Sequence, residues 1–184
     1  MADFVALGFD LAFKYNNPAI ILADGIIGQM MEKVVLPPFR PRRTEEEIRK
    51  QMPWATQGKL AGHKRNVITS LELDPAIMEE NNIRFQAKYR KIEEAEVRYE
   101  EIGCENAEYL MIAFGSMARI CLKTQEMALA EGIKVGVLRP ITLWPFPSKI
   151  IAEYANKVKG MISVELNAGQ MVEDIRLAVN GKVK

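Results

Sequence analysis

The middle of the chain contains the pattern that most restricts its fold. Tyr109–Phe114 is a continuous apolar run, as in strands that are buried on both faces. Gly115-Ser116 interrupts the run, and apolar residues then recur at helical spacing over Met117–Glu131. Ile133–Leu138 is a second apolar, β-branched run. Two buried strands joined by one helix predict a βαβ unit with parallel strands and a right-handed crossover.

The residues after this unit extend the same alternation. Arg139–Pro147 (RPITLWPFP) contains three prolines, which predict a rigid apolar loop rather than a helix or a central strand. Ser148–Lys157 and Gln170–Val179 then have helical spacing, and Gly160–Leu166 is a further apolar strand. The order βαβαβα predicts an α/β fold with a doubly wound parallel sheet. Asn180-Gly181 is expected to turn the chain toward another strand.

The first residues are harder to place in that sheet. Ala2–Tyr15 has the spacing of an amphipathic helix, and Ala19–Ala23 is an apolar run that predicts a buried strand ending at Asp24-Gly25. A buried parallel strand needs a neighbour on each side. The next convincing strand comes only in the βαβ unit, about ninety residues later. We therefore expect the remnant of a second α/β domain at the start of the chain, and hence a truncated chain or a fragment.

A polar arm follows this remnant. Between Lys33 and Asn66 there are nine Lys/Arg against three Glu, and Thr44 and Glu47 have the spacing of a capping box for a short helix. This arm is either a solvated linker or a docking segment for an acidic surface or an anionic cofactor. Val67–Leu73 predicts either a short strand or an extended connector.

A long charged helix is expected to connect the arm to the sheet. Asp74-Pro75 is a favourable helix start, because an acidic N-cap precedes a proline at the first helical position. Helical spacing continues to about Glu101, with a narrow, partly aromatic apolar stripe that includes Phe85, Tyr89 and Ile92. Such a stripe is typical of a helix that lies over its own domain or against a partner.

Composition excludes several classes of protein. The formal net charge of +1 gives no global attraction for nucleic acid. Cys104 and Cys121 have no CxxC spacing, which excludes an iron–sulfur cluster or structural zinc built by this chain alone. The single His63 makes a multi-histidine metal site impossible, and we expect it at the surface or as a cap. No signal peptide or membrane-spanning run is evident, so a cytoplasmic location is expected.

Two turns of the sequence resemble each other and mark the expected site. In Ile20–Glu32 (IILADGIIGQMME) and Ile162–Asp174 (ISVELNAGQMVED), an apolar run ends at an acid and Gly-Gln-Met opens a helix. The similarity arises either by chance or from a shared use. Asp24 and Glu165 serve either as helix caps or in acid–base chemistry. In parallel sheets these turns lie at the carboxyl edge, where helix N-termini hold anions or carbonyl groups. No GxGxxG, P-loop or Ser-His-Asp arrangement occurs.

Several motifs together resemble one known family. These are Asp24–Glu32 (DGIIGQMME), Gly115–Arg119 (GSMAR), Arg139–Pro147 and Glu165–Asp174 (ELNAGQMVED). They are similar to the α subunits of 2-oxoacid:ferredoxin oxidoreductases of the 2-oxoisovalerate or 2-oxoglutarate type, and the likeness covers nearly the whole chain. The resemblance implies three parts: residues 1–36 as a remnant of a pyrimidine-binding thiamine diphosphate domain, 37–74 as a linker arm, and 75–184 as the long helix plus a transketolase C-terminal-like domain.

The resemblance also implies a function. Enzymes of this family oxidatively decarboxylate a 2-oxoacid with coenzyme A and reduce ferredoxin. The family's thiamine-activating glutamate lies upstream of this sequence, so the resemblance implies no catalytic residue and no metal ligand here. Contacts to cofactor or coenzyme A are expected from nine residues: Asp24, Gly28, Gln29, Gly115, Ser116, Arg119, Asn167, Gly169 and Gln170.

Cofactors and partners follow from the same resemblance. Thiamine diphosphate and magnesium are expected in the full complex, with iron–sulfur clusters on partner subunits and no cofactor on this chain alone. A β subunit and a ferredoxin-type subunit are the expected partners in an oligomer, and the isolated chain is expected to be inactive. Two alternatives remain open: a non-catalytic α/β module that docks subunits, and a free-standing nucleotide-binding domain, against which the missing glycine motif argues.

Overall fold

The computed structural model describes every residue except 57, 59–61 and 63. The expectation for His63 therefore lies outside the described residues. In chain order the elements are α1 (Ala2–Tyr15), α2 (Gly25–Gln29), α3 (Glu45–Gln51), α4 (Pro75–Ala95), β1 (Tyr99–Ile102), β2 (Tyr109–Ala113), α5 (Gly115–Ala130), β3 (Val135–Pro140), α6 (Ser148–Tyr154), β4 (Gly160–Val164) and α7 (Met171–Val179).

One four-stranded sheet organises the second half of the molecule. The strand order is β1-β3-β2-β4, in which β2 is parallel to both β3 and β4, and β1 is antiparallel to β3. In the central register Met111 of β2 lies between Val137 of β3 and Ile162 of β4. The predicted α/β fold with a doubly wound, mostly parallel sheet is confirmed, with an antiparallel edge strand that the sequence analysis did not include.

The sheet is covered by helices on both faces. Side chains alternate between the two faces along each strand, so Leu110 and Ile112 lie on the same face. There they pack against Leu138 of β3 and against helices α6 and α7. Met111 and Ala113 point to the other face and pack with Ala118 and Cys121 of α5. The largest fully buried side chains all belong to this part of the chain: Leu110, Ile112, Leu138, Ile151, Val137, Pro147 and Cys121. This two-sided burial explains why β2 and β3 are continuous apolar runs.

The edge strand β1 corrects the predicted length of the charged helix. The start of α4 is as predicted, because the Asp74 carboxylate accepts hydrogen bonds from the amides of Ala76 and Ile77. The helix nevertheless ends at Ala95, and Tyr99–Ile102 pairs with β3. Residues 99–102 are therefore not helical, because ladder hydrogen bonds to β3 replace those of the helix.

The same pairing corrects the start of the proline-rich loop. Arg139 and Pro140 belong to β3, with Arg139 opposite Glu100 and Pro140 opposite Tyr99. A proline is tolerated there because it is the last residue of the strand, where a missing N–H interrupts no further ladder. The loop thus begins two residues later than the sequence indicated.

The predicted strand at Ala19–Ala23 is wrong. These residues have no regular secondary structure, and all five are exposed, with Ile20 81% exposed. A strand requires a neighbour to satisfy its backbone groups, and the described sheet offers none to this segment. The helix predicted to open at Gly28-Gln29-Met30 is also misplaced, because α2 spans Gly25–Gln29 and ends where that helix was expected to begin.

The described part of the arm contains no helix or strand besides one short helix. Thr44 and Glu47 form the predicted capping box: the Glu47 amide donates to Thr44 Oγ1 at 3.2 Å, and the Thr44 amide donates to Glu47 Oε2 at 2.7 Å. Val67–Leu73 is an extended connector rather than a strand. Within the described part of the chain, no helix has the length and apolar character needed to cross a bilayer.

Candidate site at the carboxyl edge of the sheet

The N-terminus of α5 forms one side of the site. Gly115 opens this helix with a φ of +58°, a left-handed conformation that favours glycine. The Ser116 amide donates a 2.7 Å hydrogen bond to Asp24 Oδ2, which comes from the turn before α2. A Cβ on Gly115 would lie 2.6 Å from the same oxygen. Glycine is therefore required twice here, for its backbone angle and for the close approach of Asp24.

Asp24 is held as a carboxylate at this position. The Ser116 hydroxyl and the Ser116 amide, which face it, hold the pKa of Asp24 below its usual range. Of these two groups only the amide has full hydrogen-bond geometry. The hydroxyl oxygen Oγ is itself buried and has no partner among the described residues. Asp24 thus occupies the positive end of α5, where a carboxylate is electrostatically favoured.

The opposite side of the site is the turn between β4 and α7. Glu165 accepts hydrogen bonds from the amides of Met171 (2.7 Å), Val172 (2.9 Å) and Gln170 (3.1 Å), and from the Ser163 hydroxyl (2.8 Å). Burial alone would raise the pKa of Glu165, but these donors outweigh it and the pKa is lowered. Glu165 therefore caps α7, one of the two roles left open by the sequence.

Asn167 and Gly169 shape the same turn. Asn167 Oδ1 accepts from the amides of Gly169 (2.8 Å) and Gln170 (3.2 Å), and Gly169 has a φ of +98°. The amides of Gly169 and Gln170 are consequently already bonded within the turn. The N-termini of both α5 and α7 are thus occupied by oxygen atoms of the chain itself.

A small cleft of about 150 Å³ lies between the two sides. Its polar lining comes from Asp24, Glu165 and Asn167, and its apolar lining from Phe114, Met117, Val164 and Leu166. The structure brings the α5 turn, the Asp24 turn and the β4–α7 turn together, as expected for turns that meet at one sheet edge. The arrangement combines apolar walls with hydrogen-bond acceptors that carry negative charge.

The other predicted contact residues lie outside this cleft. Arg119, one turn into α5, forms a two-pronged ion pair with Glu32. The distance from Arg119 Nη2 to Glu32 Oε2 is 2.9 Å. These hydrogen bonds from Arg119 lower the pKa of Glu32. Gly28 and Gln29 are exposed on α2, and a Cβ on Gly28 would meet no atom within 4 Å. The two similar turns are therefore used differently, because Asp24 binds α5 whereas Glu165 caps its own following helix.

The sequence analysis missed the apolar walls of the cleft. Phe114 and Met117 flank the predicted Gly115-Ser116 turn, and Val164 and Leu166 flank Glu165. Their only sequence signal is this adjacency to the polar turns. The sequence does not show which apolar residues line the cleft, because that depends on the direction in which the chain leaves each strand.

The cleft does not fit a magnesium–diphosphate group. Its ionisable lining residues are two carboxylates, and its helix N-termini are already bonded to side chains. Within the described ranges, no cluster of three His, Cys, Asp or Glu side chains has the arrangement to hold a metal ion. A diphosphate would meet like charge here rather than the cations or free amides that such groups require.

Comparison with known proteins identifies relatives of this chain. Residues 107–184 match the family model described as pyruvate:ferredoxin oxidoreductase core domain II. The chain is 46% identical over 178 residues to the ketoisovalerate oxidoreductase subunit VorB of Methanothermobacter thermautotrophicus, which covers 97% of the chain and 49% of that subunit. It is 29% identical over 178 residues to the 2-oxoglutarate synthase subunit KorA of Archaeoglobus fulgidus, covering 96% of the chain and 49% of that subunit.

A solved structure that resembles this chain is also a 2-oxoacid:ferredoxin oxidoreductase. The 2-oxoglutarate:ferredoxin oxidoreductase from Magnetococcus marinus, determined with 2-oxoglutarate, coenzyme A and succinyl-CoA bound, matches 61% of this chain and 20% of its own. The TM-score is 0.53 and the sequence identity 26%. The chain spans about half the length of the curated relatives that it matches.

Proposed function

Because the chain belongs to the family of 2-oxoacid:ferredoxin oxidoreductase subunits, we propose that it is part of an α-type subunit of such an enzyme. The whole enzyme would decarboxylate a 2-oxoacid oxidatively, transfer the acyl group to coenzyme A and reduce ferredoxin. The single observation that carries this proposal is the 46% identity over 178 residues with a ketoisovalerate oxidoreductase subunit. Matches to 2-oxoglutarate synthase subunits are weaker, at 26–29% identity, which favours a branched 2-oxoacid as the substrate.

The proposed contribution of this chain is to assembly and to ligand contacts. Residues 1–36 would be the end of a pyrimidine-binding domain, 37–74 a linker arm, and 75–184 the long helix with a transketolase C-terminal-like domain. The thiamine-activating glutamate would be supplied by polypeptide that precedes this sequence. Thiamine diphosphate, which would supply the carbanion-stabilising chemistry of the enzyme, would be held elsewhere in the complex, since the cleft described here does not suit its diphosphate.

Contacts to coenzyme A would come from its neutral part. The cleft has four apolar lining residues and the carboxylates of Asp24 and Glu165, both with lowered pKa. Such a lining repels phosphates and the carboxylate of a 2-oxoacid, but accepts hydrogen bonds from amide N–H groups beside an apolar chain. The pantetheine arm of coenzyme A has that chemistry. Its phosphates would be bound by other parts of the complex.

A second candidate is a module that docks subunits without contacting a ligand. It is favoured by α1, in which no residue is buried although the helix is largely apolar, with Phe9 66% exposed. A helix of this kind normally covers, or is covered by, another structural layer. Both candidates assign the same enzyme to the complex and differ in what the carboxyl edge does.

The enzyme assignment is tested on the assembled complex. The subunit that contains this sequence would be coexpressed with its β and ferredoxin-type subunits, and reduction of ferredoxin would be followed with coenzyme A and either 2-oxoisovalerate or 2-oxoglutarate. We expect faster turnover with 2-oxoisovalerate. A complex that reduces ferredoxin with neither acid contradicts the proposal. Titration calorimetry of the 184-residue chain with thiamine diphosphate and magnesium is expected to show no binding.

The two candidates are separated at Gly169. Gly169→Val changes the turn below the cleft, where a Cβ already meets Val172 Cγ1 at 3.3 Å. If the edge contacts coenzyme A, this variant raises the KM for coenzyme A while the complex stays assembled. Gly181→Val, at an open position with a similar left-handed φ, is the matched control. Loss of assembly, or an unchanged KM for coenzyme A in an intact complex, favours the docking module.

A further inference from the structure

One motif of the sequence, the run RPITLWPFP, lines no part of the cleft described above. Its residues 141–147, here called the proline-rich loop, follow β3 at the carboxyl edge of the sheet domain (residues 99–184). Pro145 and Pro147 are buried, and Phe146 packs against the apolar cluster that includes α6 and α7. Prolines have a fixed φ, and buried side chains restrict the backbone further. The loop is therefore a rigid part of the sheet domain.

The proline-rich loop holds the residue that precedes β1. The amides of Ile141 and Thr142 donate to the Arg98 carbonyl oxygen at 3.0 and 3.1 Å, and the Arg98 amide donates to Thr142 Oγ1 at 2.9 Å. These hydrogen bonds fix the Arg98 backbone to the loop. The Arg98 guanidinium reaches back to Glu96, with 2.9 Å between Arg98 Nη2 and Glu96 Oε2. The loop thus sets the position of a cation beside Glu96.

Glu96 connects this cation to the end of α1. Its side chain is buried, and its two carboxylate oxygens serve different parts of the molecule. Oε2 faces Arg98, whereas Oε1 accepts hydrogen bonds from Lys14 Nζ at 2.7 Å and from Tyr15 Oη at 2.6 Å. A buried carboxylate is stable only while it is paired, so Glu96 cannot follow one partner without losing the other. A displacement of Arg98 is therefore transmitted to Lys14 and Tyr15.

A second set of contacts runs between the same two places. The Trp144 ring of the loop meets the Tyr89 ring of α4 edge to face, with the ring centroids 5.8 Å apart. Lys88 Nζ lies over the Tyr89 ring, 5.5 Å from its centroid, and donates to Asn17 Oδ1 at 3.1 Å. Each such contact is weak by itself. Both sets nevertheless begin at the loop and end at residues 14–17, so one rigid loop holds the end of α1 at two points.

We propose that the proline-rich loop is the joint that fixes the end of the preceding domain on the sheet domain, with Thr142 and Glu96 as positioning residues. The identity of that domain rests on the proposed function, which makes it the pyrimidine-binding domain of the same subunit. Asp24, which lines the carboxyl-edge cleft, follows α1 closely in the chain. The joint therefore also sets the position of one wall of the cleft.

Hydrogen–deuterium exchange in the assembled complex tests whether the loop holds α1. Thr142→Val removes the hydroxyl that binds the Arg98 backbone and leaves every residue of α1 unchanged. We expect exchange in peptides covering residues 10–17 to rise about fivefold, the effect of losing one hydrogen bond. Thr142→Ser keeps the hydroxyl and should retain wild-type exchange. Thr124→Val is the matched control, because its hydroxyl donates to the Ile120 carbonyl within α5.

Combined variants test the route through Glu96. Glu96→Gln should raise exchange in the same peptides, and adding Thr142→Val should raise it little further, since both changes break one connection. Adding Tyr89→Leu to Thr142→Val should raise it further, because Tyr89 belongs to the second set of contacts. Lys14→Met cuts the first connection at its other end and serves as the single variant where Thr142→Val does not fold.

Two results would overturn the joint. One is unchanged exchange at residues 10–17 in Thr142→Val, or an equal rise in β2 and β3, which would indicate general destabilisation. The other is a combined effect of Thr142→Val and Glu96→Gln equal to the product of the single effects, which would mean that the two residues act independently.

The activity of the same complex separates the joint from the proposed function. If the joint positions one wall of the cleft, Thr142→Val raises the KM for coenzyme A several-fold while kcat at saturating coenzyme A is retained. Faster exchange at residues 10–17 with an unchanged KM leaves the joint standing and contradicts the proposed coenzyme A contact. A raised KM without faster exchange overturns the joint and leaves the proposed contact standing.

Discussion

The sheet domain and the peripheral region (residues 1–74) are both rich in apolar residues but differ completely in burial. Four of the five residues of β2 are buried, whereas α1, which is also largely apolar, contains none. The sheet domain has helices on both faces of its sheet, whereas the described residues of the peripheral region form no second layer that buries their side chains. Apolar composition therefore creates a core only where the topology supplies an opposing surface.

The difference extends to the contacts that fix each region. The sheet domain is held by two apolar clusters on the two sides of its sheet. The peripheral region is attached through charged and polar groups, such as Lys14 and Tyr15 on Glu96, and Asp24 on Ser116. Exposed polar attachments contribute little stability each. We expect the two regions to respond very differently to mutation, salt and pH.

The largest expected effect is in the core of the sheet domain. Leu138 is fully buried between the sheet and α6, so Leu138→Ala removes packed methyl groups and leaves a cavity. The free energy of unfolding should fall by about 3 kcal/mol, measured by urea denaturation. Leu177→Ala makes the same change at a position that is 80% exposed and should shift stability by less than about 0.5 kcal/mol. Similar losses at both positions would contradict the difference in burial.

The second effect concerns the attachment of α1. Glu96 is 4% exposed, and it accepts hydrogen bonds from Lys14 Nζ at 2.7 Å and Tyr15 Oη at 2.6 Å. Glu96→Gln should reduce stability by about 1 kcal/mol, because a neutral amide accepts weaker hydrogen bonds than the carboxylate, and the partner Lys14 is 58% exposed. Exchange in α1 should rise more than exchange in β2. Glu93→Gln, on the exposed face of α4, is the control.

The pH dependence of that attachment follows from the Glu96 pKa. Burial alone would raise this pKa, but hydrogen bonds from Lys14, Tyr15 and Arg98 outweigh burial and lower it to about 2. A lowered pKa means that the stabilisation is present above the usual value of 4.5 and is lost as the pH falls from about 4.5 to about 2. The stability difference between wild type and Glu96→Gln should therefore shrink over this interval. A constant difference would contradict the assigned ion pair.

The third effect lies where the two regions meet. Gly115→Ala combines a left-handed backbone with a Cβ only 2.6 Å from Asp24 Oδ2, so it should cost about 1–3 kcal/mol and release Asp24. Gly132→Ala has a φ of +78° but open space around its Cβ, so it should cost only the backbone term of about 1 kcal/mol. Equal costs, measured by urea denaturation, would indicate that the Asp24 contact contributes nothing.

The smallest effect is confined to the first turns of α4. Asp74→Ala removes the cap on the amides of Ala76 and Ile77 and should destabilise the start of this helix by about 1 kcal/mol. Amide exchange over residues 75–82 should increase, with no change in the urea midpoint of the sheet domain. Asp74→Asn keeps an acceptor oxygen at the cap and should restore most of the protection. A shift of the urea midpoint would show that this helix and the sheet unfold together.

Much of the sheet domain was predictable because its signals are local. The βαβ unit, the helix starts at Asp74-Pro75 and Thr44, and the later helices follow from apolar spacing and capping residues. Strand β1 was not predictable in this way, because Tyr99–Ile102 continues a charged helical pattern and becomes a strand only through pairing with β3. The opposite error at Ala19–Ala23 has the same cause, since an apolar run forms a strand only when a neighbour pairs with it.

For the candidate site, the sequence by itself determined the chemical groups: a glycine-serine turn, two strand-end acids, and an Asn-Ala-Gly turn before the last helix. These follow from residue type and spacing, which act over a few neighbouring residues. The tertiary structure alone decided that Asp24 binds the N-terminus of α5 while Glu165 caps α7, and that apolar side chains close the cleft between them. Those pairings join residues up to 92 positions apart. Only the folded sheet, which gathers its strand ends along one edge, brings them within hydrogen-bonding distance.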